Sequence, residues 1–246
     1  MMKATRLAAV GLGLLCGSAA QAADPASALP REEIEKIVRE YLMREPEVIY
    51  EAIQELQQRR AVAEAERQQQ AVTANKAALF SSAEDPIIGN PEGDVALVQF
   101  FDYRCGYCRG MVPGLRSLVE KDKGLRIVMK EFPVLGPEST LAAHASLAAA
   151  QQGRYAEFHL AMMGSKQLDE EAIMGIASRL GLDVDRLAAD MKSESVQRTI
   201  DANARLASEL GITGTPSFVI GDKLVPGAVD IAQLEGMIAA RRQATN

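Results

Sequence analysis

Val95-Ala96-Leu97-Val98-Gln99-Phe100-Phe101-Asp102-Tyr103-Arg104-Cys105-Gly106-Tyr107-Cys108 is the stretch on which the fold turns. Its first half is apolar except for Gln99 and is rich in valine and phenylalanine. It follows the turn-rich run Ser81 to Gly93, with Pro86, Gly89, Pro91 and Gly93, so it predicts a buried strand. A helix is predicted from about Cys105 to Lys121, and Leu125 to Phe132 predicts a second strand. Upstream, Pro86-Ile87-Ile88-Gly89 fits a short edge strand. Downstream, residues 138–209 are helical in pattern, jointed at Gly153, Gly164 and Gly181. Pro216 to Ile220, the turn Gly221-Asp222 and Lys223-Leu224-Val225 predict a hairpin, and Asp230 is placed to cap a last helix ending near Arg241. No internal repeat of fixed period is found.

Residues 31–80 read as helical. Ile34, Ile37, Val38, Tyr41 and Leu42 recur at helical spacing, Pro46 fits the first turn of a second helix, and Val48, Ile49, Ile53 and Leu56 continue the stripe. Beyond Leu56 the segment is rich in Gln, Arg, Glu and Ala, with Val62 as its main large apolar residue. The stripe is too polar for the core of a monomeric domain, and its expected use is self-association; folding back onto the globular part is the alternative. The expected division is 1–22 signal peptide, 23–82 helical extension and 83–246 catalytic domain, with the helical insertion at about 138–209.

The chain has 246 residues, 48% apolar and 24% charged, at net charge −6. This is globular composition with no basic face, which argues against nucleic acid as a partner. Lys3 and Arg6, the apolar run Leu7 to Cys16 and the small-x-small Ala20-Gln21-Ala22 form a secretory signal pattern. The run is short for a membrane anchor. Leu15 before Cys16 disfavours lipid attachment there. Cleavage after Ala22 removes Lys3 and Arg6, taking the net charge from −6 to −8, and removes one cysteine of three. The two that remain lie in one four-residue motif. A bridge closing so short a loop removes little chain entropy, so the pair points to redox chemistry and not to a structural framework.

A C-x-x-C at the exit of a buried strand, opening a helix beside a βαβ pattern, is a thioredoxin-type arrangement. Cys105 then sits at the helix N-terminus, where free amides and the helix dipole favour a thiolate nucleophile. Cys108, one turn inside and on the same face, is the resolving thiol. Arg104 and Arg109 flank the pair; they either add to thiolate stability or are solvated surface charges. Haem attachment wants a histidine where Arg109 stands, and a closed zinc site wants two more ligands. His144 and His159 read as ordinary helical residues. Two thiolates suit Cu(I), a minor alternative. Within Gly211-Ile212-Thr213-Gly214-Thr215-Pro216-Ser217-Phe218, a proline opening the strand is expected to face the cysteines. A cis Thr215–Pro216 bond there would free the Thr215 backbone to pair with an extended substrate peptide. A plain trans turn proline is the alternative.

Phe100 to Cys108, Lys130-Glu131-Phe132-Pro133-Val134-Leu135-Gly136-Pro137-Glu138-Ser139 and Gly214 to Phe218 together resemble the DsbA-like thioredoxin superfamily. The resemblance is closest to the branch with N-terminal helical extensions, which includes Com1-type and copper-sensitivity-suppressor C-type periplasmic proteins. It implies an α/β thioredoxin-like fold with an inserted helical subdomain and a preceding α-helical extension. It implies a periplasmic protein disulfide oxidoreductase needing no cofactor beyond the Cys105–Cys108 redox disulfide. Catalytic roles fall to Cys105 and Cys108, and substrate contacts to Gly106, Tyr107, Thr215 and Pro216. Implied partners are unfolded or misoxidised secreted proteins, a membrane redox partner, and further copies of the chain through residues 31–80. Gly106-Tyr107 and Thr215 resemble the isomerase branch; a dithiol oxidase, or a Cu(I)-binding or chaperone-like periplasmic protein, is the alternative. Many relatives carry a buried carboxylate under the cysteines. The position aligned there is Gln99, which cannot titrate. Glu131, Lys130 or water is left to take the proton of Cys108, with Glu131 otherwise expected as a solvated strand-end charge.

Overall fold

The computed structural model describes residues 29–244. The signal-peptide reading of 1–22, with Cys16, lies outside the described residues. Two compact units divide between Gln58 and Arg59. In the first, α1 (Arg31–Arg44) and the opening turns of α2 (Glu47–Ala74) bury none of their residues. Ile34, Ile37, Val38, Tyr41, Ile49, Ile53 and Leu56 are all exposed.

The second unit is built on a five-stranded sheet, ordered β1-β3-β2-β4-β5. Its strands are β1 (Ile87–Gly89), β2 (Val95–Phe101), β3 (Leu125–Glu131), β4 (Ser217–Ile220) and β5 (Lys223–Pro226). β2 and β3 run parallel, joined through α4 (Gly106–Lys121); the remaining pairings are antiparallel. Five helices fill the interval between β3 and β4: α5 (Pro137–Gln151), α6 (Tyr155–Gly164), α7 (Glu170–Arg179), α8 (Val184–Asp190) and α9 (Glu194–Glu209). Asp169, Asp183 and Ser193 cap α7, α8 and α9 by accepting the amide three residues on. Each such cap contributes about 1 kcal/mol. Asp230 precedes α10 (Ile231–Gln243) as expected but makes no side-chain cap bond.

Side chains alternate across β2 and β3, and both faces of the sheet are covered. Leu97, Phe101, Ile127, Met129 and Phe218 join the larger core with α4, α10 and the inserted helices. Val98, Phe100, Val128 and Val219 join a second cluster with Val72, Leu79, Leu206 and Ile212. Val72 lies near the end of α2, and Leu79 belongs to α3 (Lys76–Phe80). The second unit thus includes residues 59–82, and Val72 and Leu79 from that stretch pack into its second core. The polar composition of 57–80 hid two fully buried anchors, while Val62, the residue that stood out, is exposed.

Candidate active site

β2 ends at Phe101, and the next residues turn the chain into α4. Asp102 makes that turn. Its carboxylate accepts the amides of Arg104 (2.7 Å), Val134 (2.8 Å) and Leu135 (3.0 Å) and the Ser139 hydroxyl (2.7 Å). Its backbone carbonyl accepts the Cys105 amide at 3.1 Å. One buried carboxylate thus ties the cysteine loop to the loop after β3 and to the first turn of α5. No local pattern assigns Asp102 this role; an acid on the heels of an apolar strand is its one signal in the sequence.

Cys105 is the N-cap of α4. Its Sγ accepts the Cys108 amide at 3.3 Å and lies 3.2 Å from the Thr215 carbonyl, to which the thiol donates. The strand after Pro216 therefore does face the pair, and the Thr215–Pro216 bond is cis. Cys105 is 6% exposed and Cys108 is fully buried. Burial, helped by the neighbouring Cys105 sulfur, pushes the Cys108 thiol up to about 12. Gly106 has open space around it, and Tyr107 is 74% exposed, so both stand at the surface beside the pair. The arrangement presents one sulfur at a helix N-terminus and withholds the other, which suits an ordered pair of thiol–disulfide exchanges.

The flanking arginines are engaged elsewhere. Arg109 donates to the carbonyls of Tyr103 (2.6 Å) and Ser165 (2.5 Å), anchoring α4 to the end of α6. Arg104 donates to the Leu135 carbonyl and pairs with Glu138.

The neighbours of Gln99 resolve two expectations. Gln99 is buried on the cysteine-facing side of β2, opposite Met129 and Phe218. Lys130 is on the other face. It pairs with buried Asp85 and donates to the Ala78 carbonyl at 2.6 Å, so it is no candidate for the Cys108 proton. Burial lowers the Lys130 ammonium and raises the Asp85 carboxyl, each opposed by the attraction of the other.

Glu131 is not the solvated strand-end charge expected. It is 1% exposed on the cysteine side, and its Oε1 accepts the hydroxyls of Tyr103 (3.1 Å) and Tyr155 (2.9 Å). Burial holds its carboxyl well above the ordinary range, against the two tyrosine hydrogen bonds. Tyr103 also meets His159 Nδ1 at 3.0 Å, and the imidazole stacks on Tyr155 and meets Phe101 edge-on. His159 is no ordinary helical residue: burial lowers it to about 3. The cluster draws its members from the end of β2, the turn after it, β3 and α6, which no local sequence pattern connects.

A DSBA-like thioredoxin domain model matches residues 96–239. The chain belongs to the DsbA-like thioredoxin family. Residues 31–63 also match the copper resistance protein ScsC N-terminal domain. Among solved structures, this family member is similar to a thioredoxin-like oxidoreductase from Silicibacter pomeroyi. The two are 44% identical, covering 69% of this chain and 98% of that one, with a TM-score of 0.67. Proteus mirabilis ScsC in a transitional conformation is 29% identical, covering 87% of this chain and 97% of its own, with a TM-score of 0.65. A curated relative, the Na(+)/H(+) antiporter NhaA of Herminiimonas arsenicoxydans, is 32% identical over 166 residues, 65% of this chain and 26% of that protein. The chain thus spans about a quarter of the length of the curated antiporters it matches. Among the described residues, no helix is long and apolar enough to cross a membrane.

Proposed function

We propose that this DsbA-like chain is a periplasmic thiol–disulfide oxidoreductase that rearranges disulfides in secreted proteins, with isomerase character. The observation that carries the reading is the asymmetry of the pair, with Cys105 capping α4 beside Thr215 and Cys108 sealed behind it. The Cys105 thiolate attacks one sulfur of a substrate disulfide. The new S–S bond joins enzyme to substrate, and the second substrate sulfur leaves as a thiolate. In isomerisation that freed thiolate attacks another substrate disulfide, and a later exchange returns the Cys105 thiolate with no net oxidation. In the reductive branch Cys108 gives up its proton and attacks the Cys105 sulfur, forming Cys105–Cys108 and releasing a substrate dithiol. A thiol held at about 12 favours waiting over early resolution, which suits isomerisation. Gly106, Tyr107, Thr215 and Pro216 supply the surface on which an extended substrate lies, with the Thr215 backbone available for strand-like pairing.

Cys105→Ala is expected to abolish turnover of scrambled ribonuclease. Cys108→Ala should still form a mixed disulfide and accumulate it. Turnover by Cys105→Ala at the parent rate would end the proposal. The reduction potential of the pair then decides between isomerase and oxidase, since about 30 mV corresponds to a tenfold shift in the exchange equilibrium.

Assembly through the helical extension is part of the same reading. The large apolar side chains of α1 and early α2 are exposed, an arrangement that self-pairing would bury. Deleting residues 31–58 should give a folded monomer by light scattering and reduce isomerisation more than simple disulfide reduction. Deleting through residue 80 removes Val72 and Leu79 from the second core and should unfold the domain. A full-length monomer would overturn the assembly proposal.

A further inference from the structure

Arg109 directly follows Cys108 and is half-buried. Its guanidinium donates to two main-chain carbonyls, Nε to Tyr103 at 2.6 Å and a terminal nitrogen to Ser165 at 2.5 Å. Its own amide donates to the Cys105 carbonyl at 3.1 Å. One residue thus grips the chain on both sides of Arg104 and ties it to Ser165, the C-cap of α6. A guanidinium is a planar fork with fixed donor directions, so two such bonds fix the relative position of two backbone segments. Neither acceptor is charged, so the bonds hold geometry and do not balance a carboxylate.

The first turn of α4 needs such a hold. Pro113 lies inside α4 and has no amide, so the carbonyl of Arg109, four residues earlier, lacks its helical partner. The turn that carries both cysteines is therefore joined less firmly to the rest of its helix. On its other side the chain leaves β2 through a tight turn, closed by the Cys105 amide on the Asp102 carbonyl. Asp102 fixes that turn to the loop after β3, while Arg109 fixes it to the helical insertion. Tyr103 is also held from α6 at its far end, where its hydroxyl meets His159 at 3.0 Å. The Cys105 sulfur lies 3.2 Å from the Thr215 carbonyl, and it must keep that place to meet a client paired along the Thr215 backbone.

We propose that Arg109 is a positioning residue for disulfide exchange. By fixing the Tyr103–Cys105 turn to the end of α6, it lets the seat of the helical insertion set where Cys105 presents its sulfur. The inference rests on the reading of Cys105 as the attacking thiol. A misplacement of about 1 Å costs up to about a hundredfold in rate, so a loosened turn penalises a reaction that needs alignment.

The test uses the full chain with Cys16→Ser, reduced, and compares two reactions of Cys105. Attack on a peptide disulfide must align with Thr215; alkylation by iodoacetamide need not. Arg109→Lys keeps the charge and loses the fork. The ratio of the first rate to the second is expected to fall by about tenfold in Arg109→Lys and in Arg109→Met. Each chain should take up a single alkyl group, because Cys108 stays sealed and the fold intact. A parent-like ratio in Arg109→Lys would overturn the inference. So would equal slowing of both reactions, which marks an effect of charge on the thiolate and not of position. The parent chain gives a reading that needs no variant: the Arg109 Nε–H should exchange with water about a hundredfold more slowly than that of free arginine. Exchange at the free rate would also overturn the inference. A parent chain that attacks no peptide disulfide would instead end the functional reading, while the exchange rate still decides the clamp, so the two fail separately.

Discussion

Replacing Glu131 with glutamine should stabilise the protein, and by an amount that grows with pH. Glu131 is sealed on the cysteine side of the sheet, and burial holds its carboxyl well above its ordinary 4.5. The folded chain keeps the proton, while the unfolded chain releases it above pH 4.5. The folded state then binds more protons, so stability falls as pH rises through the window from 4.5 to the folded value. Each pH unit inside that window is worth about 1.4 kcal/mol of stability to the chain that carries Glu131. The amide introduced by Glu131→Gln would keep an oxygen for the Tyr103 and Tyr155 hydroxyls and has no proton to lose. The chain has no tryptophan, so unfolding is best followed by far-UV circular dichroism in urea, with the cysteines kept reduced. With a slope of about 3 kcal/mol per molar, each pH unit inside the window should widen the gap between the Glu131→Gln midpoint and the parent's by about 0.5 M. The two should nearly coincide at pH 4.5. A midpoint difference that is flat from pH 5 to 8, or a variant weaker than the parent at pH 7, would refute the reasoning.

Three further outcomes follow from the same structure. His159 is held neutral down to about 3, so below pH 6.5 only the unfolded chain gains its proton, and stability drops as pH falls from 6.5 toward 3. His159→Phe should remove about 3 kcal/mol of that loss at pH 4, read from the pH dependence of the urea midpoint. His159 and Glu131 share Tyr103, so the double variant should depart from additivity. Asp102→Asn sets an amide donor against backbone and hydroxyl donors whichever way it is turned, and should cost about 3 kcal/mol in chemical denaturation. It should also slow mixed-disulfide formation, because the Cys105 loop hangs from that carboxylate. Gly114→Ala should destabilise by about 1–3 kcal/mol despite alanine's better helix propensity, since the added methyl collides with Ile231 where α4 meets α10. A raised melting temperature would show that Ile231 moves aside freely.

The legible part of the site is the part encoded locally. Cys105 and Cys108 are three apart, so their shared helix face follows from helical geometry alone. The strand, helix, strand order and the hairpin after Pro216 were likewise readable, because apolar runs and Gly/Pro punctuation act over short distances. Lys130 and Glu131 show where local reading stops. As strand neighbours they must point to opposite faces, and that much is periodicity. Two adjacent charged residues ordinarily mark an exposed strand end. Here both are buried, because the sheet is covered from both sides by distant chain. Val72 and Leu79 close one face, where Asp85 meets Lys130; Tyr155 and His159 on α6 close the other, where Glu131 is held. A buried polar group persists only with partners, and the carboxylate that meets Lys130 lies 45 residues away in sequence. The sequence by itself determined the C-x-x-C pair at the start of a helix, the order of elements and the fold class. Only the tertiary structure decided which charges are sealed around that pair, because desolvation depends on what covers a residue and not on its neighbours in the chain.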